Sequence, residues 1–418
     1  MEKAIIIGVN TLSEDYVFLD EIEELKNLCL ACDVEIVDVI TQNLNYINPS
    51  TYVGKGKIEE IKITVQSLDI EALVFNDELT PLQITNLQEA LEIIIYDRTF
   101  IILEIFKRRA KTKEAMMQVE IATLKYSLPR LTGLRKGLSR QRGTGGGFAH
   151  GRGAGETKLE LDRRITTDRI AALKKELEEV TLLRKQQRKT RKTNNMQIVC
   201  LVGYTNSGKS STLNALLHRS KGIKKTVFEK DMLFTTLETS TRAIQTETNF
   251  HFLVTDTVGF VNKLPHHLVE AFKSTLEEIK EADLIIHIVD ATNHNYKSQI
   301  ETTEQVLQSI GVKNIPTIYA FNKIDLLEDY LYIQPQYEKA IRISAITDKN
   351  IDKLIEMIQT ELEHDFVTIQ LHVPYHEQKI IEFLKGSGYT KAIDYQETQI
   401  EVLGKIPKRL LSKVEKYL

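Results

Sequence analysis

Two rhythms of apolar residues alternate along the first 110 positions. Short apolar runs, KAIIIGV, VEIVDVI and EALVFND, suit buried strands, and between them lie stretches such as DYVFLDEIEELKNLCLAC with helical spacing. That alternation predicts a small α/β domain with a parallel sheet over residues 1–110. KTKEAMMQVEIATLKYSLPRL reads as a helix that Pro129 helps to stop. After a glycine-rich stretch, a second long helix is expected from about Glu156. Its apolar positions Ile170, Leu173, Leu177, Val180 and Leu183 fall three or four apart, the stripe of a helix that packs on a partner. Residues 111–195 are therefore expected to form an antiparallel helical hairpin with the glycine loop at its tip. Strand-like runs return in MQIVCLVG, FHFLVTD, DLIIHIVD, PTIYAFN and KAIRIS, so residues 196–363 read as a doubly wound α/β domain. The remaining 364–418 combine TIQLHV, a helix around EQKIIEFLK, strands near KAIDYQ and TQIEVL, and a last helix from Pro407, a small α+β domain.

At 418 residues the chain exceeds what one core usually supports, in keeping with several domains. With 42% hydrophobic and 27% charged residues it has the composition of a soluble globular protein. The sequence holds no apolar run long enough to span a bilayer, and MEKAIIIGVN lacks a signal peptide's basic-then-apolar plan, so a cytoplasmic protein without membrane insertion is expected. Cys29, Cys32 and Cys200 are too few for a disulfide framework. Cys29 and Cys32 form C-x-x-C inside an amphipathic stretch, which reads as helix packing rather than as a redox or metal site.

The net charge of −3 hides an uneven distribution. From Leu131 to Gly155 there is no acid, whereas Arg135, Lys136, Arg140, Arg142 and Arg152 all occur; a second acid-free run holds Arg184, Lys185, Arg188, Lys189, Arg191 and Lys192. Basic segments in a slightly acidic chain point to a local polyanion site. Phe148 and His150 could stack on unpaired bases, which makes the loop a candidate RNA contact; a solvated linker is the plain alternative.

Chemistry concentrates between Gly203 and Ala345. Gly203-Tyr204-Thr205-Asn206-Ser207-Gly208-Lys209-Ser210 matches G-x-x-x-x-G-K-[ST] between a strand and a helix, the setting in which backbone N–H groups cradle phosphates. Lys209 is expected to reach the β and γ phosphates, and the Ser210 hydroxyl to bind Mg²⁺. Asp256-Thr257-Val258-Gly259 follows an apolar strand; Asp256 is expected to hold Mg²⁺ through water and Gly259 to sense the γ phosphate. Asn322-Lys323-Ile324-Asp325 ends another strand, where Asp325 would accept two hydrogen bonds from guanine that adenine cannot supply. Ser344-Ala345-Ile346 closes the set, its backbone placed for the guanine oxygen. Phe234-Thr235-Thr236-Leu237-Glu238 lies where a switch threonine belongs: Thr236 would bond Mg²⁺ and γ phosphate in the GTP state alone, unless it is a surface threonine on a strand edge. Lys209, Thr236 and Gly259 are the candidate catalytic residues. Phe260 stands where many regulatory GTPases have a water-orienting glutamine, so slow intrinsic hydrolysis is expected.

GYTNSGKSSTLNAL, FTTLE, DTVGF and NKID resemble the HflX family of P-loop GTPases. So do VGKGKIEEI, VFNDELTPLQ, the long run from DRTFIILEIF to SLPRL, and LSRQ with a glycine loop ending in GETKLELDRR. The likeness covers residues 1 to about 363 and, weakly, the tail. It implies a monomeric GTPase that binds the large ribosomal subunit and its RNA, sets its glycine-rich loop near the peptidyl-transferase centre, and splits or rescues stalled ribosomes. Two positions depart from the family pattern: Gly153-Ala154-Gly155-Glu156 where G-P-G-E is usual, and Glu238 where Asp is commoner. The stretch from Arg142 to Gly155 is also longer than usual, resembling variants linked to antibiotic resistance. Rival readings are a GTPase that regulates a protein partner such as a membrane-associated protease, and an RNA-remodelling ATPase acting through the first domain. Gly54-Lys55-Gly56-Lys57 is too short for a phosphate loop, and reads as a turn or an RNA contact.

Overall fold

The computed structural model describes the chain apart from residues 1, 12–14, 133–150, 194–195, 221–239, 249, 264–267, 269–278, 329–333, 365, 378 and 388. Two compact units result, one taking in Met1–Val180 and the other most of Thr181–Leu418.

In the first unit, β1 (Glu2–Asn10), β2 (Val34–Asn43), β3 (Ala72–Phe75) and β4 (Ile94–Asp97) form a parallel sheet in the order β2-β1-β3-β4. Helices α1 (Asp15–Ala31), α2 (Lys55–Leu68), α3 (Pro81–Leu91) and α4 (Arg98–Arg109) connect and flank these strands. Ile5, Ile7, Leu73 and Phe75 share a core with Ile58 and Ile61 of α2 and Leu87 and Leu91 of α3. The opposite face receives α1, and Gly8 makes room for it: a Cβ there would stand 2.7 Å from Ile22 and 2.8 Å from Phe18. The sequence explains the helix starts. Thr80-Pro-Leu-Gln83 is a capping box, with Gln83 N donating to Thr80 Oγ1 and Thr80 N to Gln83 Oε1, and Asp97 caps α4 by accepting from Phe100 N at 2.8 Å.

Helix α5 (Lys113–Ser127) starts on Thr112, whose hydroxyl accepts from Ala115 N, and passes into a 3₁₀ turn over Leu128–Thr132, where Pro129 sits. Helix α6 (Gly151–Thr193) runs antiparallel to it. Lys113 pairs with Glu176 and Glu120 with Arg169, so advancing along α5 means retreating along α6. Between them Met117, Ile121, Ile170 and Leu173 are buried, with Leu124, Leu177 and Val180 against them, the stripe expected from the spacing. One boundary differs. The helix begins at Gly151 rather than near Glu156, so the backbone of Arg152 and of Gly153-Ala154-Gly155 is helical instead of looped. Once a helix has nucleated, each added residue brings its own hydrogen bond, which offsets the glycine penalty.

The second unit is built on a six-stranded sheet, β10-β9-β8-β5-β7-β6, from β5 (Gln197–Gly203), β6 (Ser240–Gln245), β7 (His251–Asp256), β8 (Leu284–Asp290), β9 (Thr317–Asn322) and β10 (Ala340–Arg342). All neighbours are parallel except β6 and β7. Helices α7 (Lys209–Arg219), α8 (Tyr296–Ser309) and α9 (Ile351–Leu362) pack on it, and Leu213, Leu216, Leu354 and Ile358 join Val199, Leu201 and Ile286 in its main core. Strands β11 (Phe366–Pro374), β12 (Tyr389–Tyr395) and β13 (Gln399–Pro407) form an antiparallel sheet in the order β11-β13-β12, with α10 (Lys379–Ser387) against it. The last helix expected from Pro407 is instead two 3₁₀ segments, Lys408–Lys413 and Glu415–Tyr417. So short a tail is held by burying Leu410 and Val414 rather than by an α-helical ladder. Among the described residues no helix is long and apolar enough to cross a membrane.

Candidate nucleotide site

The expected residues converge at the carboxyl edge of the six-stranded sheet. Strand β5 ends at Gly203, whose φ of +146° suits glycine, and the backbone of β8 passes so close that a Cβ there would lie 2.2 Å from the Ile288 carbonyl oxygen. Asn206 carries the chain through left-handed backbone at φ 59°, and Gly208 follows at φ 91°. Gly208 is also the N-cap of α7 and offers no side chain to cap it, so the first N–H groups of that helix remain available to an anion.

Lys209 opens the helix and folds back over the loop, its Nζ donating to the carbonyls of Gly203 at 3.1 Å and Tyr204 at 2.7 Å. Burial drives its pKa down from 10.5 to about 8, with Asp256 pulling the other way. Beneath it His287 of β8 is held neutral, lowered to about 3 by burial and then by the Lys209 charge. The Ser210 hydroxyl donates to Asp256 Oδ2 at 2.7 Å, which brings the two expected metal ligands together. Thr257 turns away and donates to Leu201 O, pinning β7 to β5.

Gly259 lies against the phosphate loop. A Cβ added to it would meet Thr205 Cγ2 at 2.8 Å and Lys209 Nζ at 3.0 Å, so any larger residue would push the two segments apart. Next to it, Phe260 N donates to Gly203 O at 3.2 Å and Phe260 O accepts from Thr205 N at 2.7 Å. Phe260 is 2% exposed, and its sequence neighbour Val258 and its bridge partner Tyr204 are buried as well. Phe260 is thus both a residue unable to orient water and a packing residue.

Asn322 ends β9 and is 2% exposed. Its Nδ2 donates to Ser207 O at 2.9 Å, while its Oδ1 accepts from Ala345 N at 3.0 Å. Lys323, in left-handed backbone, donates to Asp290 Oδ2 at 2.7 Å. Asp290 was not among the expected residues; its signal is an acid at the carboxyl end of β8. Ile324 and Asp325 continue into a 3₁₀ turn with Asp325 exposed. Ser344 is fully buried and accepts from Thr347 N, and Ile346 is 77% exposed beside it.

The switch segment Phe234, Thr235, Thr236, Leu237 and Glu238 lies outside the described residues, as do Arg135, Lys136, Arg140, Arg142, Phe148 and His150. Cys29 and Cys32 are buried, and burial pushes both thiols up, Cys32 to about 12, which leaves them as packing groups. Gly54 is the N-cap of α2, and Lys57 pairs with Glu60. Among the described residues no cluster of three or more His, Cys, Asp or Glu could hold a metal by itself.

Three protein-family models match the chain: GTP-binding GTPase N-terminal over residues 20–107, GTP-binding GTPase middle region over 109–191, and 50S ribosome-binding GTPase over 198–323. The chain is 40% identical over 417 residues to the GTPase HflX of Caldanaerobacter subterraneus, covering 100% of this chain and 94% of that protein. It is 41% identical over 416 residues to the GTPase HflX of Lacrimispora saccharolytica, covering 99% and 95%. The GTPase HflX of Escherichia coli is 35% identical over 387 residues, covering 91% and 87%.

Proposed function

Because the chain belongs to the HflX family of P-loop GTPases, which bind GTP and hydrolyse it to GDP and phosphate, we propose that it is a nucleotide-timed factor for the large ribosomal subunit. In this reading it engages ribosomal RNA through the basic loop, splits or rescues stalled ribosomes, and acts in the cytoplasm as a monomer. The observation that carries it is the acid-free sequence from Leu131 to Gly155, which leads from the 3₁₀ turn after α5 into the first residues of α6, two helices that pack antiparallel. A rigid pair of helices is a support on which a loop can be presented, and arginines in a glycine-rich loop can approach phosphates closely. The name of the family model over 198–323 points to the same partner.

Within the nucleotide site, the uncapped start of α7 and Lys209 would take the phosphates, and the exposed Asp325 carboxylate would read the guanine edge. Ser210 and Asp256 offer adjacent oxygen ligands, which fits Mg²⁺, with Thr236 as the switch ligand. Mg²⁺ bound there would neutralise charge on the β and γ phosphates. The four segments 1–110, 111–195, 196–363 and 364–418 would divide the work into domain, RNA-reading hairpin, timer and tail.

Co-sedimentation with large subunits in a non-hydrolysable GTP analogue tests the reading. Binding should require the analogue and should be lost on deleting residues 142–155; binding indifferent to both would overturn it. The longer loop further leads us to expect tolerance to drugs that act at the peptidyl-transferase centre. A shortened loop that left tolerance unchanged in a susceptible host would remove that part alone.

A further inference from the structure

The site lacks a group to handle the attacking water at the position where Phe260 stands. Its ring is buried, and its backbone N and O are both committed to the phosphate loop, so it cannot swing out to serve. A different residue lies beside the same point. Thr205 is 6% exposed and its Oγ1 is buried without a hydrogen-bond partner. Buried hydroxyls are normally satisfied, so an orphan in a ligand site is free to take a bond from a ligand or its water. Its backbone N–H is already spent on Phe260 O, which leaves the hydroxyl as the polar group it can offer. Its Cγ2 and the Lys209 ammonium flank Gly259 at 2.8 and 3.0 Å from the position of a Cβ there. Lys209 and Gly259 are the two groups that address the γ phosphate in the reading above, so Thr205 stands at the γ end. Ser207 Oγ is orphaned too, but it faces inward, 3.2 Å from a Cβ at Gly203.

We propose that Thr205 is a catalytic residue of GTP hydrolysis whose hydroxyl bridges the attacking water and a γ-phosphate oxygen. One hydroxyl has one donor and two acceptor sites. It therefore accepts from the water and donates to the phosphate, the pair of bonds a glutamine amide would supply. The water oxygen forms its bond to the γ phosphorus while the bond from that phosphorus to the β–γ bridging oxygen breaks. The water proton ends on the released phosphate and the electron pair on GDP. Thr205 is unchanged at the end, and no further reactant is needed. A contact made mainly as charge develops appears in the rate more than in the affinity.

This proposal rests on the assignment of the nucleotide site, and the test separates the two. In the full-length protein, Thr205→Val keeps the shape and removes the hydroxyl, and Thr205→Ser keeps the hydroxyl. Single-turnover GTP hydrolysis is measured beside equilibrium affinities for GDP and for a non-hydrolysable GTP analogue. T205V should hydrolyse GTP at least about tenfold more slowly, a loss expected for one positioned transition-state bond. It should bind the analogue several-fold more weakly relative to GDP, with GDP affinity within about twofold of the parent, and T205S should recover most of the rate. Hydrolysis by T205V within twofold of the parent would overturn the proposal. So would a parallel loss of GDP affinity in T205V and T205S, which would make Thr205 a structural residue. Lys209→Ala retaining full GDP affinity would overturn the site assignment instead.

Discussion

Replacing Arg130 tests how the root of the basic loop is held. Its side chain, 12% exposed, donates from Nη1 to Tyr126 O at 2.6 Å and from Nη2 to Leu79 O at 2.8 Å and Glu78 at 3.3 Å. Its Nη2 also lies 3.4 Å from Asp97, a carboxylate 0% exposed, and the guanidinium stacks 3.5 Å from the centre of the Tyr126 ring. Asp97 in turn accepts from Leu79 N, Phe100 N and the Tyr126 hydroxyl. Breaking a buried ion pair from one side costs about 3–5 kcal/mol. The three remaining donors to Asp97 place Arg130→Met toward the lower end, about 3 kcal/mol, or roughly a hundredfold in local opening. Arg130→Lys restores the charge but not the planar fork, and should recover less than half of that loss. A multidomain chain does not unfold in two states, so the assay is site-resolved amide exchange at β3, β4 and Leu79. Asp97→Asn completes a double-mutant cycle. If the two changes add within about 0.5 kcal/mol, the residues are not coupled and the reasoning fails.

Three further outcomes follow from the nucleotide site. Burial holds Lys209 at about pKa 8, so the nucleotide-free protein loses that charge as pH rises through 8, whereas bound phosphates would keep it protonated. GDP affinity should fall about fourfold between pH 7 and 8.5, and calorimetry in two buffers at pH 8 should show about half a proton taken up; no net uptake would contradict this. The same shift has the opposite sign for folding: the unfolded chain holds the extra proton between pH 8 and 10.5, so nucleotide-free stability contributed by Lys209 rises across that window. Phe260→Gln should not create a fast GTPase. The side chain is buried, so the change should cost about 2–4 kcal/mol, seen as a lower melting temperature with hydrolysis no faster than the parent's.

Much of this architecture can be read from spacing. The runs KAIIIGV, VEIVDVI and EALVFND became β1, β2 and β3, and the stripe from Ile170 to Val180 meets α5 as expected. Strand β6, STRAIQ, escapes such a reading because an antiparallel edge strand with one buried residue leaves little apolar signal. Strand β4, IIYD, is only four residues long and runs straight into α4. The nucleotide residues were legible because their types and order are fixed by phosphate chemistry. The second task of Asn322, joining the loops of Ser207 and Ala345, was not, because a side chain's partners across 115 and 23 residues leave no mark on local sequence. Nor was the Lys323–Asp290 pair.

That single amide of Asn322 has a consequence for how a nucleotide would be held. One rigid, planar group fixes the distance between the carbonyl of the phosphate loop and the backbone of the base-side loop. Once the phosphates dock, the base meets its pocket at a high effective concentration, and neither end is captured independently of the other. A purine with the wrong edge would lose the bonds to Asp325 but not this tether, which forms without any ligand. The span between the two loops is thus set by a residue other than the one expected to read the base, so affinity for any nucleotide and selectivity for guanine would be separable by mutation at Asn322 and Asp325.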